Sequence, residues 1–190
     1  SVDTLREDPS NARLHPERFA VMGRLALTKP ESRALMATWK QQPHMLGIRM
    51  VFNRGQSAQW LTDGTADWFW AAAERYDVPV MVMAPNDVPK FGEIAERHPG
   101  LRLIVDHMGL NSVLRGKSLV PSVDNVVKLA RHKNIAVKVS ALPCYVDEPY
   151  PFPTMHSLVR RVVDAFGPQR CFWGTDLSHL PCPYKQVMTL

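Results

Sequence analysis

The sequence of 190 residues has no uninterrupted apolar run of about 18 residues, the length that crosses a membrane. It also has no GxGxxG or GxxxxGK[ST] phosphate loop, which disfavours a nucleotide-binding fold. Its N-terminus has neither the basic start nor the apolar stretch of a secretory signal. Three cysteines (Cys144, Cys171 and Cys182) show no CxxC spacing, which makes a zinc–thiolate site a weak hypothesis and favours a reducing compartment. We therefore expect a cytoplasmic protein that makes no contact with a membrane.

Basic residues outnumber acidic residues by 23 to 18, which gives a formal net charge of +5. The densest basic cluster, RHKN at 131–134, falls near a predicted helix end, where cations complement the helix dipole. Nucleic-acid binding usually needs basic residues gathered on one face, and here they are spread along the chain. We therefore expect no nucleic-acid partner, and some arginines could instead attract a small anionic molecule.

Six short apolar or β-branched runs predict β-strands. They lack strict polar alternation, which is typical of parallel strands covered on both faces. Helical patterns lie between them, and the strand–helix alternation repeats five times without a long linker. This organisation predicts one α/β domain over residues 1–190 with a parallel sheet. The six runs are residues 19–27, 46–52, 78–84, 101–107, 135–141 and 171–175.

Polar residues at the ends of these runs favour a (βα)8 TIM barrel over a doubly wound sheet. A TIM barrel gathers its functional side chains at the carboxyl ends of its strands, and here His107, Ser140 and Asp176 lie at such ends. A full barrel needs eight strands and about 250 residues. With six strands we expect a partial barrel. The Pro- and aromatic-rich insert at 144–153 follows the fifth run and could act as a lid.

Two motifs, IVDHMG at 104–109 and FWGTDLSHLP at 172–181, resemble those of the amidohydrolase-related family of TIM-barrel hydrolases and decarboxylases. In that family a late strand ends in DHxG and the last strand ends in G(S/T)D. The resemblance assigns the six runs to strands three to eight of the barrel. It implies that two strands lie upstream of Ser1, that a helical segment follows Leu190, and that the chain is an internal piece of a longer protein.

The family resemblance leaves metal content open. An HxH pair marks the first strand of the family, and none occurs in these 190 residues. Members that hold a metal tightly commonly have a fifth-strand histidine where this sequence has Met83, and a thioether is a poor ligand for zinc or manganese. The 2-pyrone-4,6-dicarboxylate lactonase-like hydrolases, which the sequence resembles most, also lack that histidine and are thought to need no metal. We expect no cofactor, or one zinc or manganese ion bound by His107 and Asp176.

The resemblance to this subgroup implies hydrolysis of a lactone, or a similar carbonyl ester, of a carboxylate-bearing small molecule. Such a reaction needs a base that activates water and a donor that stabilises the developing oxyanion. At the ends of two predicted strands, Asp176 is suited to act as the base and His107 to polarise the carbonyl. These two residues are the predicted catalytic pair.

Arginines are the predicted substrate-binding residues because a guanidinium pairs bidentately with a carboxylate. Arg49 lies in the second run, and Arg54 and Arg115 follow predicted strands. His179 comes three residues after Asp176 and is a further candidate for the pocket wall. A small anionic substrate is thus the expected partner, and a homo-oligomer is compatible with the sequence.

Two other functions stay open. One is a metal-dependent decarboxylase of the same family, acting on an aromatic or unsaturated carboxylic acid; the other is an inactive barrel that serves as a binding module. Structural roles also stay open: Asp176 could begin a turn, His107 could be a core histidine and Arg49 could extend to the surface. For Asp106, strand alternation predicts a side chain that points away from its neighbour and serves the structure.

Overall fold

In the computed structural model, which describes residues 10–189, six parallel β-strands form a single sheet. Each strand pairs with the next one along the chain, from β1 to β6 without a reversal of order. A doubly wound sheet reverses its order at a switch point, whereas a barrel does not. The prediction of a partial TIM barrel is confirmed. The strands are β1 (Val21–Gly23), β2 (Met45–Val51), β3 (Val80–Met83), β4 (Leu103–Val105), β5 (Ile135–Ser140) and β6 (Cys171–Gly174).

Helices connect successive strands and bury one apolar face against the sheet. In the helix that precedes β6, Met155, Leu158, Val162 and Phe166 are buried at helical spacing. That helix ends at Phe166, and Gly167 follows it with a φ of 73°. No helix in the described part of the chain is both long and apolar enough to span a bilayer. The helices are α1 (Ser10–Leu14), α2 (Glu31–Thr38), α3 (Asp67–Arg75), α4 (Lys90–Arg97), α5 (Val120–Lys128), α6 (Pro153–Phe166) and α7 (Tyr184–Met188).

The predicted strands all form, but five of the six are shorter than expected, most of all those at 19–27 and 101–107. The run at 101–107 narrows to β4 because the backbone takes left-handed angles at His107 (φ 48°) and Met108 (φ 51°), which no strand can accommodate. The run at 19–27 narrows to the three residues of β1, which pairs with β2 alone among the described strands. Residues 1–9 and 190 of the predicted domain lie outside the residues that the structure describes.

The last strand differs from the expectation that both faces of each strand are covered. In β3, fully buried side chains alternate with partly buried ones, as expected for a covered strand. In β6, by contrast, Phe172 is 50% exposed and Trp173 is 56% exposed. The reason is position, because β6 pairs only with β5 and lies at the edge of the described sheet. The carboxyl ends of all six strands still lie at one edge, where the candidate site is found.

Candidate functional site

A cavity of about 630 Å³ opens at the carboxyl edge of the sheet. Every described strand, or the residues that directly follow it, contributes to its wall. This convergence is the arrangement by which TIM barrels build a site from separate strand ends. The contributions, in order from β1 to β6, are Arg24, Arg49, Met83, His107, Ala141 and Asp176.

His107 is held rigidly at the end of β4. Its left-handed backbone costs about 1 kcal/mol or more for a residue with a side chain, and the turn is completed by Gly109 at a φ of 60°. A Cβ atom at Gly109 would lie 2.7 Å from Cγ2 of Val88, so the glycine is required there. The His107 ring is almost fully buried, and its Nδ1 lies 2.7 Å from Oγ of the buried Ser140 on β5.

Asp176 lies next to His107 in the wall of the cavity. It follows β6 by two residues in a left-handed conformation (φ 56°), and its side chain is 27% exposed. Oδ2 of Asp176 is 3.7 Å from Nε2 of His107. The structure therefore brings together the two residues that the sequence predicted as a catalytic pair, 69 positions apart in the chain by subtraction of their residue numbers.

Asp106 forms a buried charge network beside this pair. Its carboxylate is completely buried, accepts a hydrogen bond from Nε of Arg49 at 2.8 Å, and lies 2.6 Å from Nη2 of the same arginine. Nζ of Lys138, on β5, lies 3.3 Å from the other carboxylate oxygen. Nε2 of His107 is 3.4 Å from Asp106 Oδ2. The expectation that Asp106 points away from its neighbour is wrong, because β4 ends at Val105 and strand alternation stops there.

Burial and charge shift the pKa values of both buried groups. For Asp106, burial raises the pKa, but attraction by the protonated form of His107, by Arg49 and by Lys138 outweighs it, so the pKa lies below its ordinary value and the carboxylate is ionised. For His107, burial lowers the pKa, and the opposing attraction of Asp106 and Asp176 does not overcome it. The imidazole is therefore neutral at pH 7.

The other predicted binding residues lie at the mouth of the cavity, except Arg49. Arg49 lines the cavity, but its Nε and Nη2 atoms are engaged by Asp106. Arg54 is exposed at the mouth. Arg115 donates hydrogen bonds to the carbonyl oxygens of Ser112 and Leu114.

The mouth also contains an acidic residue and a histidine. Nε of Arg115 lies 3.5 Å from Oδ1 of the exposed Asp147. His179 is exposed, and its Nδ1 lies 3.4 Å from Oδ1 of Asp176. The insert at 144–153 lies beside this mouth, since its residues 144–147 line the cavity. Its role as a lid stays a prediction.

Two cations of the site were not predicted from the sequence. Arg24 directly follows β1 and lines the cavity, so the rule that functional residues follow strands would have identified it. Lys138 precedes Ser140 by two residues, and the period of two in a strand puts both side chains on one face.

Gly174 provides the space for Lys138 to reach Asp106. A Cβ atom at Gly174 would lie 2.9 Å from Cε of Lys138 and 3.3 Å from Cβ of Ser140. Close packing therefore explains why a glycine occupies this position of the GTD motif. A side chain there would force the end of the lysine to shift beside the buried carboxylate.

The metal donors that the sequence suggested are both present at the cavity. His107 and Asp176 face each other, but Met83 occupies the wall of the third strand, and Asp106 is already balanced by two cations. Within residues 10–189 no group of three or more His, Cys, Asp and Glu side chains is arranged to hold a metal ion. Zinc sites use three or four protein ligands. These residues by themselves therefore do not fit a zinc centre.

Sequence comparison relates the chain to known hydrolases. A family model described as amidohydrolase matches residues 10–186. The L-fucono-1,5-lactonase of Burkholderia ambifaria is 29% identical over 161 residues, which are 83% of this chain and 54% of that protein. The chain thus spans 54% of the length of this curated relative.

Solved structures share the fold at low sequence identity. A zinc-bound amidohydrolase from Burkholderia multivorans matches with a TM-score of 0.79 and 21% identity, over 95% of this chain and 66% of that one. A probable 2-pyrone-4,6-dicarboxylic acid hydrolase from Acinetobacter baumannii, with citric acid bound, matches with a TM-score of 0.70 and 13% identity, over 95% and 67% of the two chains. These likenesses establish the barrel architecture.

Proposed function

We propose that this chain, which belongs to the amidohydrolase family, carries the active site of a lactonase for a carboxylate-bearing lactone. The observation that carries the proposal is the 3.7 Å approach of His107 Nε2 to Asp176 Oδ2 in a cavity with arginines at its mouth. The relatives support the reaction class, since one is named as a lactonase and another as a probable pyrone dicarboxylic acid hydrolase.

Asp176 acts as the general base. Its partly exposed carboxylate takes a proton from a water molecule in the cavity, and the resulting hydroxide attacks the carbonyl carbon of the lactone. The tetrahedral intermediate then collapses with cleavage of the ring C–O bond. The proton held by Asp176 passes to the departing ring oxygen, so that lactone and water together give one hydroxy acid.

His107 polarises the carbonyl group. The Ser140 hydroxyl can donate its hydrogen bond to Nδ1, which leaves the ring proton on Nε2, the nitrogen that faces Asp176. Because burial keeps the pKa of His107 low, the ring is neutral and donates from Nε2. A donor aimed at the developing oxyanion stabilises the transition state more than the ground state.

Arginines at the mouth bind the carboxylate of the substrate. Arg24 and Arg54 are exposed and line the cavity, and a guanidinium pairs with a carboxylate through two parallel hydrogen bonds. Arg115 also lines the cavity, but its Nη1 donates to two carbonyl oxygens and its Nε lies near Asp147, so it attracts the substrate by its charge. Arg49 has a different role, because Asp106 already occupies two of its nitrogen atoms. It fixes the inner wall rather than the substrate.

The test compares Asp176→Asn with the parent in the intact natural protein, on a panel of neutral and carboxylate-bearing 1,5-lactones and 2-pyrones. Loss of the base lowers kcat by about 10²–10⁴-fold, with an unchanged circular dichroism spectrum. Asp164→Asn, on the exposed face of α6, is the matched control and leaves kcat unaltered. Turnover by Asp176→Asn within about tenfold of the parent would contradict the role of the base.

A metal-dependent decarboxylase is the second candidate, because an amidohydrolase that shares this fold has bound zinc. Metal analysis of the purified protein, combined with a CO₂-release assay on aromatic and unsaturated carboxylic acids, separates the two reactions. Stoichiometric metal with CO₂ release and no ring opening would favour the decarboxylase. Absence of both activities, with retained ligand binding, would favour a binding module.

A further inference from the structure

Tyr145 is an almost buried residue of the cavity wall whose hydroxyl has no protein partner within residues 10–189. Only 2% of its surface is exposed, and it lines the same cavity as His107 and Asp176. Within residues 10–189 its hydroxyl makes no hydrogen bond. Its oxygen is open to the cavity, since the fully buried side-chain polar atoms without a partner in residues 10–189 are Gln42 Nε2 and Asp106 Oδ1. A phenol that lines a cavity and has no protein acceptor is placed to donate its hydrogen bond to a ligand atom there.

The chain that carries Tyr145 is anchored directly to the catalytic histidine. Ser140, the last residue of β5, is within hydrogen-bond distance of His107. The backbone then turns at Ala141 (φ 60°) into the 3₁₀ segment Leu142–Tyr145. This short, largely buried segment holds the tyrosine near the reacting groups.

The charges around the phenol keep it protonated. Burial raises its pKa above the ordinary value, and the neighbouring Cys144, Asp106 and Asp176 raise it further. Tyr145 is therefore a hydrogen-bond donor throughout the neutral pH range. A second neutral donor beside His107 can therefore stabilise the negative oxygen that develops on the substrate.

We propose that the Tyr145 hydroxyl donates a hydrogen bond to the carbonyl oxygen of the bound lactone, as the second oxyanion donor beside His107. The inference rests on the proposed lactonase function. It makes Tyr145 a catalytic residue that contributes most in the transition state, when the negative charge on that oxygen is largest.

Tyr145→Phe in the intact natural protein tests this role, because it removes the hydroxyl and nothing else. With a lactone that the parent hydrolyses, kcat falls by about 10²-fold while KM stays within about threefold. The melting temperature does not fall, since the hydroxyl has no protein partner to lose. Tyr150→Phe is the matched control: it lies on the same insert, and its hydroxyl is 3.1 Å from Oγ1 of Thr189, outside the cavity. Its kcat stays within about twofold of the parent.

The experiment distinguishes a failure of the oxyanion role of Tyr145 from a failure of the proposed lactonase function. If the parent hydrolyses the lactone and Tyr145→Phe loses less than about tenfold in kcat, or loses activity through KM, the oxyanion role is wrong and the lactonase function stands. A melting temperature lowered by more than about 5 °C would show that the hydroxyl stabilises the protein itself, and would also overturn the role. If the parent opens no lactone or pyrone, both proposals fall.

Discussion

The inner wall and the mouth of the cavity hold their charges in different ways. At the inner wall, Asp106 is fully buried and its carboxylate contacts Arg49 and Lys138. At the mouth, the Asp147 side chain is 85% exposed and lies 3.5 Å from Arg115. The first set is fixed by the fold before any ligand arrives. The second set is exposed, so an anionic ligand can compete for Arg115.

The two settings also differ in energy. Removal of one partner from a buried ion pair destabilises a protein by about 3–5 kcal/mol, because a charge is left without compensation. An exposed pair contributes about 0–1 kcal/mol. Substitutions at the inner wall should therefore alter stability and activity together, whereas substitutions at the mouth should alter substrate affinity alone.

Asp106→Asn should have the largest effect, because it leaves Arg49 and Lys138 without their buried anion. We expect the free energy of unfolding to fall by about 3–5 kcal/mol, measured by urea denaturation. Asp147→Asn, the same substitution at the mouth, should change it by less than about 1 kcal/mol. Equal losses of unfolding free energy in the two variants would show that the inner wall and the mouth do not differ in their contribution to stability.

The acid sensitivity of unfolding sharpens the same test. The pKa of Asp106 is lower in the folded protein than in the unfolded chain, where it is about 3.9. Its contribution to stability is therefore complete above that unfolded value and is lost as the pH falls through the lowered folded value. Below about pH 4 the parent should lose this stability, and Asp106→Asn should lack that part of the pH dependence.

Gly174→Ala should have an intermediate effect. The added methyl group meets Cε of Lys138 and Cβ of Ser140, so the end of the lysine must shift beside the buried carboxylate. We expect a loss of about 1–3 kcal/mol in the free energy of unfolding. In a Lys138→Ala background the loss should shrink, and a double-mutant cycle measures the coupling. Strict additivity would mean that Lys138 does not carry the effect.

Arg54→Met and Arg115→Met should have the smallest effect on stability and a selective effect on binding. We expect KM for a carboxylate-bearing lactone to rise about tenfold, with little change for a neutral lactone of the same ring. Arg49→Met, in contrast, should impair both substrates and lower stability, since it breaks the contact with Asp106. Equal KM changes for both lactones at Arg54 and Arg115 would argue against carboxylate binding at the mouth.

The sequence predicts the parts of the site that depend on strand ends. Six apolar runs identify six strands, and the residues that follow two of them, His107 and Asp176, meet in the cavity because parallel strands share one carboxyl edge. The pairing of Arg49 with Asp106 joins residues 57 positions apart and has no local pattern. The orientation of Asp106 was predicted wrongly because alternation ends where β4 ends.

The exposed faces of β6 show another limit of sequence patterns. The run CFWG at 171–174 is as apolar as a buried strand, yet Phe172 and Trp173 are about half exposed. An apolar run predicts that a strand forms, but it carries no information about which elements cover it. Lys138 shows the same limit, because the sequence alone does not indicate that this lysine contacts the buried Asp106.

The left-handed backbone after β4, β5 and β6, at His107, Ala141 and Asp176, also bears on engineering. Valine, isoleucine and threonine are poorly accommodated at such angles, so these residues should be left out of any combinatorial library at the three positions. Diversity aimed at a new substrate belongs at Arg24, Arg54 and Arg115. There the backbone is not left-handed, and many different side chains can be sampled without strain at the strand ends.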